Sequence, residues 1–226
     1  MTTPAPKYGK VFVLVHGGAH GAWAFARLAH LLAQDGHRVV AQDLPGHGLH
    51  ARIPSAYHQR PVDPVALAAE PSPLARLTLS DYVDQVSATI RHLADRLPTH
   101  QIILVGHSMA GLVLNRVGET LPHLVSRLVY LSAWMTASGR SFHDYAGLPQ
   151  LAETKIPSIL IGNPAVTGAL RFDFRSPDQM YRAMAKETFA ADVDDDDWDA
   201  VAHLLTPDTP AGPLAEAVSL TPIGWG

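Results

Sequence analysis

The sequence predicts an α/β fold built on one doubly wound, mostly parallel sheet. Apolar runs suited to buried strands alternate with runs of helical period over the first 135 residues, and such alternation is typical of a parallel sheet covered by helices on both faces. The third predicted strand ends in a tight glycine turn that carries a serine and opens a helix. Ser108 is therefore expected at the carboxyl edge of the sheet, where folds of this class place their sites.

Length and composition limit the classes of protein before any motif is considered. A chain of 226 residues with 47% hydrophobic content fits one globular domain, or one core and a lid. The formal net charge of −4 gives no basis for nucleic-acid binding. The absence of cysteine excludes disulfides and thiolate metal sites. We find neither an apolar leader nor a run approaching about 18 apolar residues, so we expect a soluble cytoplasmic protein without a membrane segment.

The first predicted strand, residues 10–15, is a continuous β-branched and aromatic run that leads to Gly17 and Gly18. Adjacent glycines let backbone N–H groups point into a pocket, because no Cβ stands in the way. A helix is predicted from Trp23 to Asp35, with Gly36 after its last turn. Its expected buried side consists of Trp23, Leu28, Leu31 and Leu32.

A second strand over residues 38–43 leads to the glycine turn 44–48. Residues 49–77 contain five prolines and no sustained period, so we interpret them as a long surface loop. This loop either flanks the pocket or is only a tolerated insertion. Thr78 is suited to cap a helix that ends before Pro98.

The serine turn reads Gly106-His107-Ser108-Met109-Ala110-Gly111 and follows the apolar run 101–105. Strand, tight turn, serine and helix follow one another in a nucleophile elbow, where the next N–H is free at a helix N-terminus. Ala110 replaces the second glycine of G-x-S-x-G, and we interpret it as tolerated because it adds only a methyl group and Gly111 follows. The alternative is a strand that ends in glycine and a helix that Ser108 caps.

These motifs, in this order, resemble those of the α/β-hydrolase superfamily. Residues 16–23, His-Gly-Gly-Ala-His-Gly-Ala-Trp, are similar to the H-G-x-x-H-G-x-W opening of the plant methylesterase and hydroxynitrile lyase group and its bacterial esterase relatives. The resemblance covers residues 10–135. It implies that Ser108 is the nucleophile and that the backbone N–H groups of Gly18 and Met109 form the oxyanion hole.

Gly17 and Trp134 are candidate substrate-binding residues. Hydroxynitrile lyases of the resembling group usually carry threonine where this chain has Gly17, and this difference favours ester hydrolysis over cyanohydrin cleavage. Trp134 follows the predicted strand 127–133 and leaves it at the same carboxyl edge. It is either a wall of the substrate pocket or a core residue.

The resemblance also implies a division of the chain. Residues 1–135 form the hydrolase core with its insertion 49–77, residues 136–220 resemble the family's lid, and residues 221–226 lead towards the rest of the core. The lid contains two helix-like pieces, around Pro177–Phe189 and Trp198–Leu205.

An elbow serine needs a histidine to accept its proton and a carboxylate to orient that histidine. In this fold they follow the serine after two further strands, and neither strand is visible in the sequence. We therefore expect the acid and the histidine beyond Gly226, in a chain that is a fragment with an aggregation-prone sheet edge. An alternative takes residues 156–162 as the strand before the acid and nominates Asp173 and His203.

Metal binding is not expected. The acidic run 192–199 lacks the glycine and the terminal glutamate of an EF-hand, so we interpret it as solvated carboxylates that favour a helix N-terminus. The histidine pairs at 16 and 20 and at 47 and 50 lie in glycine turns and are interpreted as loop histidines. We therefore expect no metal and no cofactor.

Three function classes follow. The first is a serine esterase or lactonase that acts on a small-molecule ester through an acyl-enzyme on Ser108. The second is a lyase or an acyl-transferring cyclase on the same scaffold, and the third is a binding protein that resembles hydrolase-derived receptors. Only 17% of the residues are charged. Together with Trp23, Trp134 and Trp198, this low charge points to small or aromatic apolar esters.

Overall fold

The structure, a computed structural model, describes residues 9–222. The leader 1–7 and the end of the predicted run-in, residues 223–226, lie outside the described residues. The main sheet has four strands in the order β2-β1-β3-β4, all parallel. Their bounds are β1 Val11–Val15, β2 Arg38–Gln42, β3 Ile102–His107 and β4 Val125–Leu131. The predicted doubly wound parallel sheet is confirmed.

The two faces of the sheet belong to two different clusters of apolar side chains, because successive strand residues point to opposite faces. Helices α4 (Leu79–Arg96) and α5 (Ala110–Thr120) cover one face, where they pack on Val11, Val13, Val15, Ile102 and Leu104. The other face carries Leu14, Ile103 and Val105. The 3-10 turn Ala22–Phe25 and helix α1 (Ala26–Gln34) cover this second face.

The predicted buried side of the first helix is wrong. Leu28 and Leu31 are 37% and 50% exposed, and Trp23 and Leu32 are only half-buried. Phe25 and Ala29 make the contact with the sheet instead. The cause is the 3-10 turn that precedes α1, because it changes the rotation of the helix relative to the sheet. Gly36 follows with the positive φ of 81° that suits a helix end.

Residues 49–77 are more ordered than a surface loop. They contain the short helices α2 (Ser55–His58) and α3 (Pro64–Ala69), and their buried side chains include Tyr57, Leu67 and Leu74. Helices of this length span about one or two turns, so they leave no detectable period in the sequence. The helix predicted after Thr78 is confirmed as α4, with a reciprocal capping box between Thr78 and Asp81.

After β4 the chain forms a second, mostly helical layer. Its helices are α6 (His143–Ala146), α7 (Pro164–Thr167), α8 (Gln179–Phe189), α9 (Asp195–Leu204) and α10 (Gly212–Ala215). The two helix-like pieces are confirmed as α8 and α9, and the acidic run caps α9 through Asp194. A short antiparallel pair, β5 (Ala169–Arg171) and β6 (Asp208–Pro210), was not predicted.

A buried ion pair joins β5 to β6. Arg171 Nε and Nη2 donate to the two carboxylate oxygens of Asp208, both at 2.7 Å, and the two side chains are 0% and 1% exposed. Arg171 Nη1 also donates to the carbonyl oxygens of Leu67 at 2.6 Å and Glu70 at 2.7 Å. The guanidinium group therefore connects the segment after β4 to the insertion 49–77.

Strand β4 lies at one edge of the main sheet and, within residues 9–222, pairs only with β3. Its residues are half-buried or exposed, and Leu131 is 46% exposed. The expectation of further strands beyond Gly226 stays a prediction. No helix in the described part of the chain has both the length and the hydropathy needed to cross a membrane.

Removing one partner of the buried ion pair is expected to be costly, because it leaves an uncompensated charge in the interior. Asp208→Ala should lower the free energy of unfolding by about 3–5 kcal/mol, measured by urea denaturation. Glu187→Ala is the matched control, since the Lys155–Glu187 pair is about half exposed and such pairs contribute about 1 kcal/mol or less. Equal losses in the two variants would contradict the structural role of Arg171.

Candidate active site

Ser108 lies on a strained turn at the carboxyl end of β3. Its φ is +52°, in the left-handed region that non-glycine residues rarely occupy. Four backbone hydrogen bonds surround this turn. The Ser108 N–H donates to the carbonyl oxygens of Leu131 and Ser132 at 3.4 and 3.2 Å, while Ser108 O accepts from the N–H groups of Gly111 and Trp134 at 3.0 Å. The chain after β4 therefore helps to hold the serine in place.

The glycines of the serine turn have different tasks. A Cβ on Gly106 would lie 2.5 Å from Leu114 Cδ1 and 3.2 Å from the Ala110 methyl group. A Cβ on Gly111 would lie 2.4–2.8 Å from the backbone of Trp134. The close approach between neighbouring backbones thus occurs at Gly111, and this explains why Ala110 is accommodated where G-x-S-x-G has its second glycine.

The loop after β1 packs directly against the serine turn. A Cβ on Gly17 would lie 2.8 Å from Ser108 Cβ, so a side chain there would displace the serine. His16 is fully buried and holds this loop to the next one: its Nδ1 donates to Gly17 O at 2.7 Å, and its Nε2 accepts from Leu44 N–H at 2.9 Å. Both bonds fit one neutral tautomer, and burial lowers the pKa of His16 to about 3.

His20 and Trp23 fix the far side of the same loop. His20 Nδ1 donates to Gly18 O at 2.7 Å, and its ring stacks on Trp23 with centroids 5.7 Å apart. The rings of His20 and His107 pack edge to face, with centroids 5.6 Å apart. Burial lowers the pKa of His20 and of His107, so both rings are neutral near pH 7. Among the residues that the structure describes, no cluster of metal-ligating side chains occurs.

Asp43 organises the glycine turn after β2. Its Oδ1 accepts from Ala22 N–H at 2.6 Å and its Oδ2 accepts from Leu49 N–H at 2.9 Å. A Cβ on Gly48 would lie 2.0 Å from the Asp43 carboxylate, and Gly48 has a φ of +55°. The Asp-Leu-Pro-Gly-His-Gly sequence is therefore a support for the loop after β1, and its carboxylate is used by backbone N–H groups.

Two backbone donors at the serine's cavity have no protein partner in the described part of the chain. Neither the N–H of Gly18 nor the N–H of Met109 donates to another group within residues 9–222. Met109 precedes the first residue of α5, where unpaired N–H groups are normal. Gly18 and Met109 also line one cavity together with Ser108. Unpaired donors at a cavity wall can bind an oxygen that carries negative charge.

The cavity beside Ser108 has a volume of about 370 Å³, within the usual range for small-molecule sites. Its walls are mainly apolar, and most of their apolar side chains come from the layer after β4: Trp134, Phe142, Leu151, Ile156, Leu160, Leu170, Phe172, Phe189 and Leu214. Its polar side chains are Ser108, His143, Thr154 and Thr209. The segment after β4 thus supplies most of the surface that a ligand would contact.

Trp134 lines this cavity and packs edge-on against Phe142, with ring centroids 4.6 Å apart. Trp23 and Trp198, which also suggested an aromatic site, are not among the described lining residues. Trp198 is 4% exposed and belongs to the core formed with α8. Gly17 packs behind Ser108 and does not line the cavity either, so its predicted contact with substrate stays a prediction.

The alternative assignment of the acid and the histidine is not supported by the fold. Residues 156–159 form a 3-10 turn where that assignment needs a strand, because Pro157 lacks an N–H for a sheet ladder. Asp173 is buried near Tyr181, whose hydroxyl accepts from the Asp173 N–H at 2.9 Å. His203 is exposed on α9. Neither lines the Ser108 cavity.

Several residues at the site were missed, Thr209 and His143 among them. Thr209 lies on β6 next to Gly18, and His143 lies at the start of α6. No spacing in the sequence indicates them, because the elements that carry them are three or four residues long and have no measurable period.

Similarity to known proteins identifies the family of this chain. The sequence profile of the alpha/beta hydrolase family matches residues 12–224. The chain belongs to the alpha/beta hydrolase family. Among solved structures, an extracellular alpha/beta-hydrolase from a Paenibacillus species superposes on this chain with a TM-score of 0.65. The two sequences are 20% identical, and the superposed part covers 95% of this chain and 72% of that chain.

Two curated relatives carry esterase names. Polyneuridine aldehyde esterase of Rauvolfia serpentina is 33% identical over 129 residues, which are 57% of this chain and 40% of that protein. Methylesterase 10 of Arabidopsis thaliana is 35% identical over 124 residues, 55% of this chain and 37% of that protein. The matched part thus spans less than half of these relatives. The resemblance to the methylesterase group is confirmed.

The contact at Gly111 predicts that adding a methyl group there lowers the stability more than removing a methyl group from Ala110. Gly111→Ala should lower the free energy of unfolding by about 1–3 kcal/mol, because its Cβ meets the Trp134 backbone and overpacking has this cost. Ala110→Gly, the control, should cost about 1 kcal/mol or less from lost helix propensity. Urea denaturation of both variants measures the difference, and a smaller effect at Gly111 than at Ala110 would contradict the close approach.

The buried histidines predict a loss of stability in acid. Burial lowers the pKa of His47 from 6.5 to about 4, so below about pH 6.5 the unfolded state binds a proton that the folded state does not. The free energy of unfolding should therefore fall as the pH drops from about 6.5 to about 4, by about 1.4 kcal/mol per pH unit for each such histidine. His16 contributes in the same direction.

His47→Gln should make that pH slope shallower by about 1.4 kcal/mol per pH unit, since the proton of His47 no longer contributes. The replacement removes a ring nitrogen, Nε2, that has no hydrogen-bond partner. Urea denaturation at several pH values on both proteins measures the slopes. Equal slopes between about pH 6 and 4.5 would show that His47 is not buried in the neutral form.

Proposed function

We propose that the protein is a carboxylic ester hydrolase with Ser108 as its nucleophile. The observation that carries the proposal is the composition of the cavity lining. The lining contains the Ser108 side chain on a left-handed turn and the unpaired N–H groups of Gly18 and Met109. The esterase names of the curated relatives support the same reaction class.

In the proposed reaction the Ser108 oxygen attacks the acyl carbon of the ester, and the carbonyl oxygen becomes an oxyanion. The Gly18 and Met109 N–H groups donate hydrogen bonds to this oxygen. The alcohol then leaves, and water cleaves the acyl-enzyme to release the acid. Lactones fall under the same chemistry, since they are cyclic esters. The histidine and the carboxylate that would move the protons stay a prediction for the region beyond Gly226.

The cavity supports an apolar substrate of modest size. Its walls carry the aromatic rings of Trp134, Phe142, Phe172 and Phe189, and its described lining contains no carboxylate, lysine or arginine. A charged acyl or alcohol group would lose its hydration there without gaining an ionic partner. We therefore propose aryl and medium-length alkyl esters as substrates. The predicted cytoplasmic location stays a prediction.

Ser108→Ala is expected to abolish ester turnover and covalent labelling by a fluorophosphonate, because it removes the attacking oxygen. The loss in rate should be about 10⁴-fold or more, with little change in the melting temperature, since the replaced group is one half-buried oxygen. Hydrolysis of p-nitrophenyl acetate, butyrate and benzoate and intact-mass detection of the adduct measure the effect. Wild-type rates in the variant would exclude Ser108 as nucleophile.

The second candidate is a non-catalytic protein that binds an apolar ligand in the same cavity. One observation favours it: in the described part of the chain no carboxylate lines the cavity, and the histidine that does, His143, is exposed. A folded protein that binds apolar ligands and whose Ser108 resists the fluorophosphonate would support this candidate. Labelling of Ser108 would support the esterase.

A further inference from the structure

We propose that the Thr209 hydroxyl is a third hydrogen-bond donor to the ester carbonyl oxygen, beside the N–H groups of Gly18 and Met109. This inference rests on the proposed ester hydrolysis and adds a side chain to it. No proton is transferred in this step. The hydrogen bond forms with the substrate carbonyl and strengthens as that oxygen becomes negative, which is how a donor lowers the barrier.

The hydroxyl of Thr209 is buried and has no hydrogen-bond partner among the described residues. Thr209 is 4% exposed, and its Oγ1 is a buried atom without a hydrogen bond in the described structure. Buried hydroxyl groups are almost always hydrogen-bonded, because leaving them unpaired is unfavourable. A group that is left unpaired at a cavity wall is suited to bind a polar atom of the ligand.

The Thr209 side chain lies beside Gly18, and both residues line the cavity. Thr209 Oγ1 and Cγ2 are each 2.8 Å from the position that a Cβ on Gly18 would occupy. The hydroxyl therefore lies next to the residue whose N–H is the proposed backbone donor. Thr209, Gly18, Ser108 and Met109 all line the same cavity. A substrate oxygen bound by the N–H groups of Gly18 and Met109 would therefore lie close to the Thr209 side chain.

The backbone that precedes Thr209 is held by two sets of contacts. Asp208, the preceding residue, is held by the buried guanidinium group of Arg171 through two bonds of 2.7 Å. Thr206, three residues earlier, donates from its N–H and its Oγ1 to Ala19 O, at 2.8 and 3.1 Å. These contacts join β6 to the loop that contains Gly18. A donor held in this way loses little entropy when it meets the charged oxygen.

The other polar side chains of the cavity do not have these properties. His143 and Thr154 are exposed to solvent, so water satisfies them in the free protein. Thr209 is the buried hydroxyl among the described lining residues, and the apolar walls around it offer no alternative partner. A carbonyl oxygen of the substrate is the acceptor that the proposed reaction brings to this point.

The first test measures the reactivity of Ser108 in the whole chain, by the second-order rate of its phosphonylation by a fluorophosphonate, whose P=O oxygen takes the place of the ester carbonyl oxygen. Thr209→Val keeps the branched shape and should lower this rate about 10²-fold, whereas Thr209→Ser keeps the hydroxyl and should retain most of it. The matched control is Thr167→Val, a buried threonine outside the cavity whose Oγ1 donates to Ala169 O at 2.9 Å. It should lower the melting temperature and leave the rate unchanged.

The second test does not depend on the serine. In the Ser108→Ala chain, binding of acetophenone is compared with binding of ethylbenzene, which has the same shape without the carbonyl oxygen. Acetophenone should bind about tenfold more tightly than ethylbenzene, beyond the difference in their solubilities, and Thr209→Val should remove that preference while ethylbenzene binding stays constant.

The outcomes separate the two proposals. An unlabelled Ser108 with a carbonyl preference that depends on Thr209 would overturn the esterase proposal and support the donor. A labelled Ser108 whose rate is the same in Thr209→Val and wild type would overturn the donor and support the esterase. Equal losses in Thr209→Val and Thr209→Ser would also overturn the donor, because the variant that keeps the hydroxyl would then react no faster than the variant that lacks it.

Discussion

The candidate site depends on the close packing of three backbone segments at the carboxyl edge of the sheet. The loop after β1 touches Ser108 at Gly17, and the chain after β4 touches the serine turn at Gly111, in both places with no room for a Cβ. Ala19, Ser108 and Ser132 follow β1, β3 and β4, and each has a positive φ of 63°, 52° or 44°. Such strain persists only where the surroundings enforce it, and it is common at functional sites.

The buried ion pair is the second constraint, and it acts at a distance from the serine. Arg171 and Asp208 hold β5 against β6 and attach both to the insertion 49–77. A buried pair contributes little net stability compared with an apolar replacement, but it specifies one arrangement. Here that arrangement brings Thr209 to Gly18 and places Leu170 and Phe172 in the cavity wall.

Electrostatically the site is nearly neutral. The pKa values of His16, His20 and His107 are lowered mainly by burial, so these rings carry no charge near pH 7. They serve as hydrogen-bonding supports for the loops around the serine. In such an apolar and uncharged environment, each hydrogen bond to a developing oxyanion has a larger effect than it would in water.

The sequence by itself determined the parallel sheet, the succession of its strands and helices along the chain and the position of Ser108, because long apolar runs and glycine turns are local signals. It also identified Gly18, Met109 and Trp134, which the structure brings to one cavity. Only the tertiary structure decided the rest. The rotation of α1, the pairing of β5 with β6 and the approach of Thr209 to Gly18 depend on contacts between residues far apart in the chain. Elements of three or four residues have no period that could reveal them in advance.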